Sequence, residues 1–293
     1  MPYLLLTLSA FIWSGNFVLS RAMNATIPPA GFVFWRWLVA ICVLCPIVIP
    51  RLRKEWPLVR ANLKLVCVCG FFGVTLFNFL IYTAMHSTTA INAALVNSAI
   101  PVFILMFARL IFGQTVSLRQ HAGIALSLAG VATIILQGDL GRIRTLSFNR
   151  GDLLVLLAAV AWALYSVALR RYPQGLNPFV FLFSISLSGL LFLVPFYAFE
   201  IHSGAVMNAN TPTLLSIAYV GILASVVAFT TWNIGLRRVG AHVGGQFIHL
   251  MPAFSTMLAV AFLGEQLHLF HIVGIALILT GIVCATFRIA KTA

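Results

Sequence analysis

Four polar side chains stand beside two prolines, and their types set the chemistry open to this chain. Asn97 and Ser98 precede Pro101, and Gln246 and His249 precede Pro252, all within long apolar stretches. A proline lacks the backbone N–H, so it frees the carbonyl four residues earlier, here at Asn97 and Ile248. Amides, a hydroxyl, an imidazole and freed carbonyls can hold a small polar solute by hydrogen bonds. They offer no covalent route: the chain has no G-x-S-x-G, no H-E-x-x-H and no paired carboxylates, so no enzyme is expected. The same residues would also serve plain helix packing, with Asn and His bonded across helices, and that alternative stays open.

Other candidates fall at helical spacing nearby. Asn78 and Tyr82 are four apart and share a face, and Thr230 and Asn233 are three apart. Trp13 lies beside Ser14 and Asn16, and Trp162 beside Tyr165, each Trp well inside its apolar stretch, where an indole N–H needs a partner. The expected substrate-binding set is therefore Trp13, Asn78, Tyr82, Asn97, Ser98, Pro101, Trp162, Tyr165, Gln246, His249 and Pro252. It suits a small zwitterionic or amphipathic solute. Arg36, flanked by Trp35 and Trp37, reads as a side chain snorkelling to an aromatic interface, with a carboxylate or helix-carbonyl partner as the other reading. Asp139, Asp152, Glu200 and Glu265 stand at the ends of stretches and Glu55 in a gap. Proton coupling would then fall to His249, or less plausibly His86 or His242, and facilitated or exchange transport is equally open.

Long apolar elements must position these groups. With 61% hydrophobic and 8% charged residues and a mean hydropathy of +1.05, the 293-residue chain cannot cover a water-soluble globule. A bilayer core takes about 20 helical residues per crossing, and ten apolar segments meet that need: 3–21, 30–49, 63–85, 88–112, 120–137, 152–170, 177–199, 213–236, 241–263 and 270–287. Pro50, Pro57, Pro173 and Pro212 fall in or beside connections, and Asn149 to Asp152 reads as a turn that starts a helix. The N-terminal segment has an internal counterpart and no basic leader, so it reads as a retained span. The net charge of +13 reads as topology signals facing the lipid bilayer, with no nucleic-acid partner. Five cysteines lie in apolar segments at spacings that suit neither zinc nor a disulfide framework, and neither metal nor cofactor is expected. The missing G-x-x-x-x-G-K-[ST] argues against ATP drive.

The chain is one unit written twice. Residues 113–130, GQTVSLRQHAGIALSLAG, return as 264–281, GEQLHLFHIVGIALILTG, with eight of eighteen positions identical, and the offset of 151 pairs Gly70 with Gly221 and Pro101 with Pro252. Nearer the N-terminus the offset is 149 and pairs Trp13 with Trp162 and Pro29 with Pro178. Thirteen Lys and Arg fall in gaps on the N-terminal side and four on the other, which places both termini in the cytoplasm. Five spans per copy, an odd number, turn the second copy upside down. The expected fold is all-α with ten transmembrane helices in two inverted five-helix repeats: residues 1–137, a periplasmic linker 138–151, and residues 152–293. Inverted halves provide two related shapes and a midplane site, which is carrier architecture.

Pro101 and Pro252, the Gly113-Gln114 and Gly264-Glu265 pairs and the repeated G-I-A-L-x-L-x-G resemble the EamA-type permeases of the drug/metabolite transporter superfamily over nearly the whole chain. More narrowly, the chain resembles the YddG-type bacterial exporters of aromatic and other amino acids. The resemblance implies an inner-membrane exporter of amino acids with a central cavity and alternating access, and a monomer is expected. An exporter of drugs or other amphipathic metabolites is the other reading. An acidic role at the glycine pair carries over only to Glu265, since its counterpart is Gln114.

Overall fold

The computed structural model describes residues 1–286 except 24–27, 89, 116, 146–148, 206 and 264–265. Gly264, Glu265, Arg288 and Lys291 therefore lie outside the described residues. Among those described there are ten long helical runs, one short 3-10 turn at Leu140–Thr145 and no strand. α1 is Pro2–Met23, α2 Pro29–Ala61 and α3 Leu63–Ala84; α4 comes in two pieces, Ala90–Asn97 and Ile100–Phe112, and α5 is Leu118–Ile135. In the second half α6 is Arg150–Arg171, α7 Pro178–His202 and α8 Thr211–Val239. α9 comes in three pieces, Ala241–Gly244, Gly245–His249 and Leu250–Leu263, and α10 is Leu269–Thr286. Eight of these runs are long and apolar enough to cross a membrane.

Capping chemistry sets the helix starts, because the first turn of a helix leaves N–H groups without acceptors. Asn149 accepts from the Gly151 and Asp152 amides, and Asp152 accepts from the Asn149 amide, which makes the Asn149 to Asp152 turn a capping box for α6. Carboxylates from a different helix cap α2 and α7. Glu200 of α7 accepts from Ala30 N at 2.9 Å and Gly31 N at 2.6 Å, and Glu55 of α2 accepts from Asn177 N at 2.8 Å. Each of these two helices thus closes the start of the other.

One boundary differs from expectation. The second segment ends at residue 49 by hydropathy, with Pro50 and Pro57 in a connection, yet α2 runs on to Ala61 with Pro46, Pro50 and Pro57 inside it. Pro46 and Pro50 are four apart, so their missing donors fall on one face of the helix. The exposed Arg51, Lys54 and Arg60 place the extension at a wet boundary where freed carbonyls can meet water. Hydropathy marks where apolar residues stop and is blind to a helix that continues in a basic sequence.

Glycines let the halves meet along a twofold axis. A methyl at Gly123 of α5 would lie 2.6 Å from the Gly281 carbonyl oxygen of α10, and one at Gly130 would lie 2.6 Å from that of Gly274. The 151 offset turns the first pair into the second. Likewise a methyl at Gly70 in α3 would lie 2.7 Å from Ile185 O of α7, and one at Gly221 in α8 would lie 3.0 Å from Arg36 O of α2. The 149 offset pairs Arg36 with Ile185. Reciprocal contacts of this kind are those of two inverted copies of one unit.

Gly130→Val should therefore drive α5 from α10 and cost about 1–3 kcal/mol of stability, read as a lower melting temperature of the purified protein in detergent. A substitution at its mate Gly281 should cost a similar amount.

Candidate functional site

The two halves share the same irregularities at membrane depth. Gly70–Leu76 in α3 and Val220–Val227 in α8 are π-helical, and Gly70 and Gly221 are repeat mates. α4 is interrupted between Asn97 and Ile100, and α9 tightens to 3-10 geometry over Gly245–His249, one repeat apart. Both interruptions directly precede the paired prolines. A π-helical turn or a break releases carbonyls from the regular ladder, and in a membrane they must find donors in the protein or face a cavity.

Side chains supply those donors and become fixed by doing so. Asn78 Nδ2 donates to Gly73 O at 3.0 Å and Val74 O at 2.8 Å, which turns Oδ1 away from its own backbone. Trp13 Nε1 donates to Ala224 O at 3.0 Å, and Ser225 Oγ donates to Val220 O at 2.8 Å. These acceptors converge on Arg36. Its Nε donates to Ser225 Oγ at 2.6 Å, Nη1 to Asn78 Oδ1 at 2.8 Å and to Tyr82 Oη at 3.0 Å, and Nη2 to Ala224 O at 3.3 Å. Tyr82 in turn donates to Asn16 Oδ1 at 3.2 Å.

Arg36 is 2% exposed, so the snorkelling expectation is corrected. The reason is local. The π-turn of α8 presents a carbonyl and a hydroxyl, and α3 presents an amide oxygen and a phenol, at a depth where the guanidinium would otherwise reach toward headgroups. Among the described residues no carboxylate joins them: Glu55 and Glu200 cap helices, Asp152 caps its own helix and binds the Thr88 hydroxyl, and Asp139 accepts from Gly141 N.

Arg36 lines a narrow central cleft together with Trp13, Asn16, Phe77, Asn78, Ile81, Tyr82, Asn97, Ile100, Trp162, Phe229, Ile248 and Met251. Of the residues expected from sequence, Trp13, Asn78, Tyr82, Asn97 and Trp162 face it. Ser98, Pro101, Tyr165, Gln246, His249 and Pro252 stand outside its lining. Two contacts mark the axis, because each joins a residue to its own repeat mate. The Trp13 and Trp162 rings meet edge to face with centroids 5.1 Å apart, and His249 Nε2 lies 3.0 Å from Ser98 O. A carbonyl only accepts, so Nε2 carries the hydrogen, and His249 Nδ1 has no protein partner among the described residues.

On the side where α1 begins, the path is shut. Tyr165 donates to Asn233 Oδ1 at 2.6 Å, and Trp162, Tyr165, Trp232 and Asn233 are all buried. Beyond this plug a separate vestibule is lined by Phe112, Arg170, Tyr172, Arg237 and their neighbours. There the Arg237 guanidinium sits 3.4 Å from the Tyr172 ring centroid, and burial pushes the Tyr172 phenol well above its ordinary range. The repeat mate of the Tyr165–Asn233 bond is Asn16–Tyr82, the same contact with the residue types exchanged. One seals a plug and the other lines the cleft. That difference between equivalent places is what a carrier resting in one of two related shapes requires.

Fold and site together define a membrane carrier of small molecules built from two inverted halves. The chain belongs to the EamA-like transporter family, whose sequence profile matches residues 1–136 and again 149–287. It is 26% identical over 291 residues to the uncharacterized transporter YyaM of Bacillus subtilis (strain 168), covering 99% of this chain and 95% of that one. It is 27% identical over 287 residues to a probable terminal-alkyne amino-acid exporter of Streptantibioticus cattleyicolor, covering 97% and 92%. A solved crystal structure shares the fold with a TM-score of 0.77 at 23% identity, covering 97% of this chain and 96% of that one.

Sequence reasoning missed Arg36 and the apolar wall of Phe77, Ile81, Ile100, Phe229, Ile248 and Met251. The wall carries no polar signal. For Arg36 the usable signal was a cation inside a span with no acid in reach. Asn78→Leu should leave the guanidinium short of its best-oriented acceptor and cost about 1.5–3 kcal/mol, measured as a lower midpoint of thermal unfolding. Asn78→Asp, which offers Arg36 a carboxylate but loses the Nδ2 donors to the Gly73 and Val74 carbonyls, should recover only part of that loss.

Proposed function

We propose that this chain is a secondary transporter that exports amino acids, aromatic and other neutral zwitterionic ones, across a bacterial inner membrane by alternating access. It works as a monomer with both termini in the cytoplasm. The observation that carries the reading is the cleft between the halves, where indole and phenyl faces stand opposite amides, a phenol and one guanidinium. Aromatic faces suit an apolar side chain, and hydrogen-bonding groups suit the charged pole of the same molecule. The Streptantibioticus relative, named as a probable exporter of an unusual amino acid, supports the same class. A lipophilic cation fits worse, since the charge in the cleft is positive and no carboxylate among the described residues faces it. The cleft is narrow and walled by large side chains, so a solute must enter by movement of the halves. In this reading Ser98, Tyr165, Gln246 and His249 belong to the closed layer and the axis, and Pro101 and Pro252 maintain the breaks about which the halves move.

Purified protein in proteoliposomes should take up radiolabelled tryptophan and methionine saturably. Uptake of a lipophilic cation without amino-acid uptake would contradict the reading.

A further inference from the structure

The repeat treats the two ends of the cleft unequally, and the inequality orients the solute. Arg36 has Ile185 as its mate, Asn78 has Phe229, and Asn97 has Ile248. The polar member comes from the first half in all three pairs and the apolar member from the second. Five of these six residues line one cleft. The hydrogen-bonding amides, phenol and guanidinium of the cleft therefore all come from the first half, on a polar wall that also carries Phe77, Ile81 and Ile100, while α6, α8 and α9 supply an apolar wall of Trp162, Phe229, Ile248 and Met251.

Two groups on the polar wall have capacity left over. A guanidinium has five N–H donors, and Arg36 uses four of them on Ser225, Asn78, Tyr82 and Ala224, which leaves one Nη2 hydrogen without an acceptor among the described residues. Asn97 is 6% exposed, and its Oδ1 has no protein partner there. An unpaired buried acceptor is costly to keep, and so is a buried cation whose partners are all neutral dipoles. One anionic and one cationic ligand group would relieve both.

Building on the amino-acid export reading, we infer that Arg36 receives the solute's carboxylate, that Asn97 Oδ1 accepts from its ammonium, and that the side chain lies against Trp162, Phe229, Ile248 and Met251. The site then recognises the zwitterion itself, and the side chain is read only by an apolar wall. Selectivity among apolar side chains is broad, and selectivity for both charged poles is strict. Since Arg36 also ties α2 and α3 of one half to α8 of the other, a carboxylate on it competes with the Ala224 carbonyl. Binding thereby loosens a bond between the halves.

Competition against radiolabelled tryptophan uptake by the full-length protein in proteoliposomes tests this. Tryptophanamide, which lacks the carboxylate, and N-acetyltryptophan, which lacks the ammonium, should each compete about 10- to 100-fold more weakly than tryptophan, the loss of one charged hydrogen bond. Arg36→Gln should narrow the gap between tryptophan and its amide. Should that variant fail to fold, the wild-type series decides alone. Equal competition by tryptophan and its amide would overturn the inference while leaving amino-acid export standing. Uptake of a lipophilic cation with no tryptophan uptake would overturn the export reading and this inference with it.

Discussion

A carbonyl released from its helix inside a membrane must find a donor within the protein, and this constraint organises the molecule. Both halves release carbonyls at equivalent places, in the π-helical turns of α3 and α8 and at the breaks of α4 and α9. Asn78, Trp13, Ser225, His249 and Arg36 answer them. Each of those side chains thereby loses its freedom to turn and faces a fixed direction. The cleft is the space that remains between groups held in this way.

The duplication explains why the irregularities come in pairs, and the departures from it explain what the pair can do. Glycine contacts between α5 and α10 map onto themselves under the repeat, which suits a fixed joint. Along the path the mates differ: Asn16–Tyr82 borders the cleft and Tyr165–Asn233 closes a plug. The closed layer carries an energetic burden. Ser166 Oγ, Thr230 Oγ1, Asn233 Nδ2, Trp232 Nε1 and Gln246 Oε1 are buried with no protein partner among the described residues. Each such group costs about 1–3 kcal/mol relative to a bonded one, so opening that side to water recovers part of the energy. A plug of this composition is poised to open, whereas an apolar plug would stay shut.

Much of this was legible in the sequence because membranes limit the choices. Apolar length gave the spans, the odd count of spans per copy gave the inversion, and Pro101 with Pro252 gave the breaks beside the cleft. Trp13 and Trp162 were legible as a pair, since equal positions in inverted copies can meet on the axis. Arg36 was not. It enters α2 seven residues after Pro29, a depth from which its side chain can reach either headgroups or the interior, and the choice rests on neighbours distant in sequence. Its acceptors come from residues 78, 82, 224 and 225, and the two on α8 depend on a π-helical turn that no residue pattern announces. The extension of α2 to Ala61 escaped for a different reason, as three prolines and a basic surface resemble a loop until the chain is seen to stay helical.

The central claim is that the two halves exchange roles about the axis marked by Trp13–Trp162 and Ser98–His249. Its most direct test is accessibility of single cysteines, in a protein cleared of its native ones, placed at Ile81 in the cleft and at Ser166 in the closed layer. With a membrane-impermeant maleimide added to one side or the other, the account predicts reciprocal labelling. Conditions that protect Ile81→Cys should expose Ser166→Cys from the N-terminal side, and the reverse should also hold. Labelling of both sites together, or protection of both under every solute condition, would contradict an alternating carrier.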